Sequence, residues 1–225
     1  MSKRLVAVIP VRAGSERVPS KNTRPFHDTT LLDLKLTVMK QVRNIDEIIV
    51  NTDCPQCTEI AERQQVRVQP RDAYFAASDV TNDQHWRHLA EVTECDHLMM
   101  AQVTSPLIRR STLQSAVDAW FAPGRDFDSL NSVSEERKFL WQDGKPLNYD
   151  ADRTPKSQDL PKIVSLNFAI TIIEREVMRS RGNVVGRRPE FLDLSRVEAL
   201  DIDDSLDFGI AEHLYREKGL EWLLS

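Results

Sequence analysis

The chain has few of the features that mark a membrane-spanning, secreted or nucleic-acid-coating protein. No apolar run in its 225 residues approaches the roughly 20 that span a bilayer. Its 3 cysteines are a low, odd count, which is typical of a reducing compartment. The net charge of −5 argues against a surface that coats nucleic acid, although a locally basic pocket for a small anion is compatible with it. Residues 1–10 have neither the length nor the cleavage site of a signal peptide. We therefore expect a cytoplasmic protein without membrane or nucleic-acid partners.

Several common catalytic motifs are missing as well. The chain has no Gly-x-x-x-x-Gly-Lys-Ser/Thr spacing of a P-loop and no Gly-x-Ser-x-Gly elbow of a serine hydrolase. Cys54 and Cys57 have redox-motif spacing but lack the second pair that a zinc site needs. His85 and His88 stand at helical spacing, and we expect a core or surface role for them. Nothing here indicates covalent catalysis.

Short apolar runs alternate with helical stretches through the first half of the chain. Residues 5–9 form a continuous apolar run, as expected of a strand buried on both faces. Apolar residues at helical spacing predict a helix over 31–42. Further strands are predicted over 47–52, 66–69 and 96–103, and further helices over 55–65, 82–93 and 111–121, the last capped by Ser111. This order predicts an α/β fold with a mostly parallel sheet and helices on both faces, in which ligands bind beyond the carboxyl ends of the strands.

The second half is organised differently. Strands are predicted over 129–134, 139–141 and 164–173, and a closing helix over 205–218. Between them, residues 150–162 are polar, contain proline and are expected to be irregular. The simplest interpretation is a single domain over residues 1–225 with an inserted excursion at about 135–165.

The strongest candidate for chemistry is the loop over residues 10–22. It places Arg12, Arg17 and Lys21 around Gly14, directly after a buried strand. Glycine lets backbone amides approach a phosphate, and the cations neutralise it. The alternative is a solvated basic loop.

This loop resembles the opening motif of the acylneuraminate cytidylyltransferase family, the synthetases of CMP-sialic acid and related CMP-nonulosonates. The family motif reads roughly Ile-Pro-Ala-Arg-Gly-Gly-Ser-Lys-Gly-Ile-Pro-x-Lys-Asn. Residues 102–107 (Gln-Val-Thr-Ser-Pro-Leu) and 200–208 (Leu-Asp-Ile-Asp-Asp-Ser-Leu-Asp-Phe) resemble later family motifs, in the same order. The resemblance covers residues 8 to about 211. It implies a Rossmann-like fold of the nucleotide-diphospho-sugar transferase type and a homodimer in which the excursion reaches the neighbouring site.

The resemblance also implies which residues bind CTP. Residues 70–71 and 77–79 resemble the region that contacts the cytosine, and an arginine can donate to the O2 and N3 acceptors of that base. Two departures stand out, since Glu16 replaces the usual lysine and Arg17 a frequent glycine. The implied CTP contacts are Arg12, Ser15, Lys21, Asn22, Arg71 and Ser78, of which Arg12 and Lys21 are also expected to be catalytic.

Two aspartates before the last helix are candidates for a metal site. In an extended stretch Asp201 and Asp203 lie on the same side, so that they can share one hard cation. By resemblance this pair holds Mg²⁺ and belongs to the catalytic residues. The alternative is a capping role for the acidic cluster, with Asp204 or Ser205 as the cap and Asp207 in the first helical turn.

The sugar-acid side depends mainly on the resemblance. Gln102 matches a glutamine that faces the sugar, and Asn167 lies in a match to Asn-Gly-Ala-Ile. Ser157 replaces an arginine that helps to hold the sugar acid in the family. Lys156 is our candidate for compensating that loss, with Arg153 and Lys145 as alternatives.

The implied reaction is attack by the anomeric hydroxyl of a nonulosonic acid on the α-phosphorus of CTP, which releases pyrophosphate. Three alternatives stay open: transfer of CMP to 3-deoxy-octulosonate, transfer of another nucleotide to a sugar phosphate, and a non-catalytic nucleotide or sugar binder. Glu16 and Ser157 favour the binder, whereas the aspartate pair favours catalysis.

Overall fold

A seven-stranded sheet forms the centre of the protein. The computed structural model describes residues 3–15, 17–77 and 79–225. The sheet order is β3-β2-β1-β4-β8-β5-β9, and β8 runs antiparallel to both of its neighbours while the other pairings are parallel. The strands are β1 (Leu5–Val11), β2 (Glu47–Thr52), β3 (Arg67–Pro70), β4 (His97–Ala101), β5 (Ser129–Glu136), β6 (Trp141–Gln142), β7 (Lys145–Pro146), β8 (Ile163–Glu174) and β9 (Pro189–Asp193). The predicted mostly parallel sheet is confirmed.

Helices cover both faces of this sheet. They are α1 (Leu31–Met39), α2 (Pro55–Arg63), α3 (Ala73–Ala76), α4 (Asn82–Val92), α5 (Arg110–Trp120), α6 (Arg175–Arg181) and α7 (Ser205–Leu224). The alternation along β1 shows the two faces directly. Leu5, Ala7 and Ile9 join the core beneath α1, α2, α5 and α7, whereas Val6 and Val8 join the core beneath α4 and α6. Since both faces are buried, β1 has the continuous apolar sequence of an interior parallel strand. No helix within the described residues is both long enough and apolar enough to cross a membrane.

The start of α5 differs from the sequence-based prediction. Ser111 is not its cap, because the helix begins at Arg110 and the extended residue before it is Arg109. No side chain caps this end. The backbone amide of Arg109 donates to Glu198 (3.2 Å), and that of Ser111 donates to the carbonyl of Ser225 (3.2 Å). Contacts with Glu198, which precedes α7, and with the C-terminal Ser225 therefore supply acceptors at this helix end in place of a side-chain cap.

The excursion between β5 and β8 contains a small hairpin. Strands β6 and β7 pair antiparallel, and Asp143 and Gly144 turn between them with positive φ angles of 50° and 76°. Two 3₁₀ turns, Ala151–Arg153 and Ser157–Asp159, follow in the stretch predicted to be irregular. The hairpin carries exposed apolar side chains, with Trp141 at 54% and Leu147 at 58% exposure.

Candidate active site

A cleft of about 510 Å³ opens at the carboxyl ends of β1 and β4. The loop after β1, the start of α4, the middle of β8 and the segment before α7 all contribute to its walls. This is the edge of the sheet at which parallel α/β folds bind ligands. Eight of the predicted site residues line it, namely Arg12, Ser15, Lys21, Asn22, Arg71, Gln102, Asn167 and Asp201.

Hydrogen bonds between backbone atoms of the loop after β1 and two side chains hold this loop in place. Gly14 adopts a φ of +74°, a conformation that favours glycine. The amide of Ala13 donates to the Asp53 carboxylate (2.8 Å) at the end of β2. The buried Asn22 donates from Nδ2 to the carbonyl of Arg12 (3.2 Å). The loop is therefore fixed at both ends, and Asn22 contributes by bracing it.

Arg71 and His85 form a pair on one wall of the cleft. The Arg71 Nη2 atom lies 2.9 Å and 2.6 Å from the two ring nitrogens of His85. Burial, followed by the charge of Arg71, lowers the pKa of His85 to about 3, so the ring is neutral and accepts from the guanidinium. Burial also lowers the pKa of Arg71 to about 10, opposed by the Asp53 carboxylate, and Arg71 remains a cation at neutral pH. The buried Arg71 Nε has no hydrogen-bond partner among the described residues.

Lys21 lies close to both aspartates of the predicted metal pair. Lys21 Nζ donates to the carbonyl of Ile202 (2.6 Å), the residue between the two aspartates. Burial lowers the pKa of Lys21, and the nearby Asp201 opposes that shift. Burial raises the pKa of Asp201, partly offset by a hydrogen bond with Thr104. Asp203 is exposed and does not itself line the cleft, but it forms an ion pair with Arg17 (2.7 Å), which does.

The donor set at the aspartate pair is compatible with a magnesium ion. The Oδ1 atom of Asp201 is buried and has no partner within the described chain. Among the described residues, no group of three or more His, Cys, Asp or Glu side chains is arranged to hold a metal. Mg²⁺ characteristically binds through one or two carboxylates together with substrate phosphates. Asp201 and Asp203 therefore fit a metal that arrives with a nucleotide. The alternative capping role falls to Asp204, which accepts from the amides of Leu206 (2.8 Å) and Asp207.

The far end of the cleft is formed by a bulge in β8. The pairing between β5 and β8 shifts register between Asn131 and Val133, which leaves β8 residues 167–170 opposite Ser132. The amide of Gln102 donates to the carbonyl of Ala169 (3.2 Å), so that the end of β4 abuts this bulge. The structure thus brings Gln102 and Asn167 into the same cleft.

Some predicted residues lie elsewhere. Lys156 is exposed at the start of the second 3₁₀ turn in the excursion and does not line this cleft. Ser78, predicted to contact CTP, lies outside the described residues, as does Glu16.

Comparison with known proteins identifies the family of this chain. The family model described as Cytidylyltransferase matches residues 6–154. The chain belongs to the cytidylyltransferase family. The predicted enzyme class, a nucleotidyltransferase, is therefore confirmed.

Two relatives match this cytidylyltransferase over nearly their full lengths. One is a post-translational flagellin modification protein B of Campylobacter coli, 24% identical over 96% of this chain and 97% of its own. The other is a CMP-N,N'-diacetyllegionaminic acid synthase of Legionella pneumophila, 27% identical over 94% of this chain and 96% of its own. The predicted resemblance to CMP-nonulosonate synthetases is thereby confirmed.

Solved structures support the cytidylyltransferase fold. A CMP:2-keto-3-deoxy-manno-octonic acid synthetase complexed with CTP superposes with a TM-score of 0.69 at 13% identity, covering 96% of this chain and all of the other. A 4-diphosphocytidyl-2C-methyl-D-erythritol synthase of Anaerococcus prevotii gives 0.70 at 12% identity, covering 95% and 96%. At these identities the likeness concerns the fold alone.

Sequence reasoning missed several residues of the cytidylyltransferase cleft. Asn82, His85 and Trp86 all line it from α4, although we expected a core or surface role for the histidine. Their spacing of i, i+3 and i+4 places them on one helix face, and this was the available signal. Phe168 lines the cleft at a position where the family motif has glycine. The phenylalanine in place of glycine was the sequence feature that could have identified Phe168 as a site residue.

A buried lysine supports the loop after β4. Lys35 of α1 is 2% exposed, and its Nζ donates to the carbonyl of Ser105 (2.8 Å). Burial lowers the pKa of Lys35 to about 7. The hydrogen bond ties α1 to the segment that begins with Gln102.

Proposed function

We propose that this cytidylyltransferase transfers CMP from CTP to the anomeric hydroxyl of a nonulosonic acid. The observation that carries the proposal is the charge of the cleft. Four cations, Arg12, Arg17, Lys21 and Arg71, line one cleft of a chain whose net charge is −5. Such a site suits two anionic substrates, because the enzyme has to hold a triphosphate and a carboxylate together. The full-length match to a CMP-N,N'-diacetyllegionaminic acid synthase supports a nonulosonic acid as the acceptor.

In this proposal the nucleotide lies along the loop after β1. Arg12, Ser15 and Lys21 hold the triphosphate, and Asn22 keeps the loop in shape through its bond to the Arg12 carbonyl. Arg71 donates to the cytosine, for which its unpartnered Nε is suited. His85 orients the Arg71 guanidinium without adding charge, because its ring is neutral.

The aspartate pair completes the phosphate site. We propose that Asp201 and Asp203 hold Mg²⁺, which supplies Lewis-acid neutralisation of the phosphate oxygens. Lys21 fixes the backbone between the two carboxylates through the Ile202 carbonyl. The Lys21 ammonium also lines the cleft, where it can stabilise the negative charge that develops on the phosphates during the reaction.

The chemical step needs positioning more than covalent participation. A bond forms between the anomeric oxygen and the α-phosphorus, and the bond from the α-phosphorus to the bridging oxygen breaks. The products are the CMP-sugar acid, pyrophosphate and a proton. Arg12 and Lys21 stabilise the charge that moves onto the leaving pyrophosphate, while Gln102 and Asn167 orient the acceptor.

The decisive experiment measures pyrophosphate release from CTP and Mg²⁺ with a panel of acids. The panel contains N-acetylneuraminic acid, N,N'-diacetyllegionaminic acid, pseudaminic acid and 3-deoxy-octulosonate. We expect release with at least one nonulosonic acid and none when the acid is omitted. Release with 3-deoxy-octulosonate alone would establish that alternative acceptor. CTP binding without release from any acid would identify a non-catalytic binder.

We also propose a homodimer in the cytoplasm. The low, odd count of 3 cysteines is consistent with a cytoplasmic location. In this proposal the chain is a single domain, and the excursion at about 135–165 is an insertion in it. The excursion exposes the apolar side chains of Phe139, Trp141 and Leu147. Exposed apolar clusters of this kind mark protein interfaces. In a dimer, the exposed Lys156 on the same excursion would serve the acid site of the neighbouring subunit.

Replacing Trp141 by serine is expected to weaken the dimer. Light scattering at micromolar concentration should give about twice the 25.8 kDa chain mass for the unmodified protein and a lower mass for the variant. Leu206→Ser is the matched control, because Leu206 is 70% exposed on α7 outside the excursion. A monomeric mass for the unmodified protein would contradict the proposed dimer.

A further inference from the structure

Phe168 has a backbone conformation that its side chain disfavours. Its φ is +54°, within the left-handed region that glycine adopts without strain and that residues with bulky side chains rarely adopt. Such conformations persist where the surrounding structure holds them, and they cluster at functional sites. The residue is 37% exposed and lines the cleft.

Hydrogen bonds around the β8 bulge hold Phe168 in this conformation. On its N-terminal side, Asn167 accepts from Ser132 Oγ (2.5 Å) and donates to Ser134 Oγ (3.0 Å). On its C-terminal side, the amide of Ala169 donates back to Asn167 Oδ1 (3.2 Å), and that of Ile170 donates to Ser132 Oγ (2.9 Å). Asn167 and Ile170, on either side of Phe168, are therefore both hydrogen-bonded to β5. Bulges commonly redirect a side chain beside an active site.

The redirected ring forms an apolar wall with Trp86 of α4. The two ring centroids are 6.0 Å apart with an interplanar angle of 37°. Met100 lines the same cleft. This wall contrasts with the cationic side of the cleft, where Arg12 and Lys21 face the phosphates in the proposed function. It adjoins Gln102, whose amide donates to the carbonyl next to Phe168.

We propose that Phe168, supported by Trp86, determines acceptor specificity by contacting a methyl-terminated substituent of the acid, such as an acetamido methyl. The preferred substrate class is then N-acylated nonulosonic acids over their fully hydroxylated analogues. An aromatic wall gains nothing from a hydroxyl group, which loses its hydration there, whereas a methyl group is favourably buried. This inference rests on the proposed transfer of CMP to a nonulosonic acid.

The test compares acids that carry none, one or two acetyl groups. They are the C5-hydroxyl analogue of N-acetylneuraminic acid, N-acetylneuraminic acid itself and N,N'-diacetyllegionaminic acid. For the unmodified enzyme we expect kcat/KM to rise across this series by about tenfold or more. In Phe168→Gly the rise should shrink to about twofold or less, because the Phe168 ring is removed from the wall. Glycine adopts the φ of +54° without strain, so this variant should keep its melting temperature or raise it.

Phe191→Ala is the matched control, since Phe191 is 45% exposed on β9 and does not line the cleft. It should keep the preference of the unmodified enzyme. An unchanged acid preference in Phe168→Gly would overturn the inference, as would an equal loss with all three acids. A raised KM for CTP with unchanged acid preference would also overturn it and assign the wall to the cytosine. Absence of pyrophosphate release by the unmodified enzyme with any acid would instead refute the proposed function.

Discussion

Replacing Asp201 by asparagine is expected to lower kcat for CMP transfer by about 10³-fold, on the scale of losing a principal electrostatic contact to the transition state. Asp201 is the half-buried member of the aspartate pair, and its buried Oδ1 atom has no hydrogen-bond partner in the described chain. The asparagine side chain has nearly the same shape but no charge. The variant should therefore fold normally and lose its response to Mg²⁺. Steady-state pyrophosphate release over a magnesium titration measures both effects.

Asp203→Asn should show a smaller loss than Asp201→Asn. Asp203 is exposed and already paired with Arg17, so its charge is better screened. Asp204→Asn is the control for removing one carboxylate from this segment, because an asparagine oxygen can still cap α7. It should leave turnover within about twofold of the unmodified enzyme. Full magnesium-dependent activity in Asp201→Asn would refute the proposed metal site.

Replacing Lys21 by methionine is expected to lower kcat by about 10² to 10³-fold, the usual cost of losing one donor to the developing charge. Methionine keeps an unbranched apolar stem, which suits a half-buried position. It removes the ammonium near Asp201, and with it the 2.6 Å hydrogen bond to the Ile202 carbonyl. The KM for CTP should rise less than kcat falls, because Arg12 and Arg71 remain in the cleft. Separate kcat and KM values from CTP titrations test this.

The matched control for Lys21→Met is Lys40→Met. The Lys40 ammonium also donates to a backbone carbonyl, that of Gln64 (2.8 Å), but it is exposed after α1 and does not line the cleft. That variant should retain turnover. If both variants lost activity equally, general destabilisation would explain the effect. If neither did, Lys21 would have no catalytic role.

Much of the fold was predictable because local patterns specify it. Strand β2 has the predicted bounds. Strand β1 starts where it was predicted to start and ends at Val11 instead of Ile9. The short α3, α6 and β9 were missed, since elements of 4 to 7 residues carry little periodic signal of their own. Their formation depends on contacts with distant parts of the chain.

The candidate site divides in the same way. Arg12, Ser15 and Lys21 lie within one loop, so a contiguous motif placed them together. The contact between Arg71 and His85 joins two elements and is set by tertiary packing. The conformation of Phe168 depends on serines more than 30 residues earlier in the chain, and no local reading of β8 contains that information.

The buried Lys35 links the stability of the fold to the proton concentration. Its pKa is about 7 in the folded protein against an ordinary value of 10.5. Between these two values the unfolded chain binds more protons than the folded one at this side chain, so its contribution to stability increases as the pH rises. Below about pH 7 the folded protein carries the full cost of a buried ammonium. The segment after β4 is therefore braced by a lysine that loses its charge near neutrality. In mildly alkaline solution the interior around Lys35 and Ser105 holds less buried charge than in acid, so the protein should resist unfolding better there.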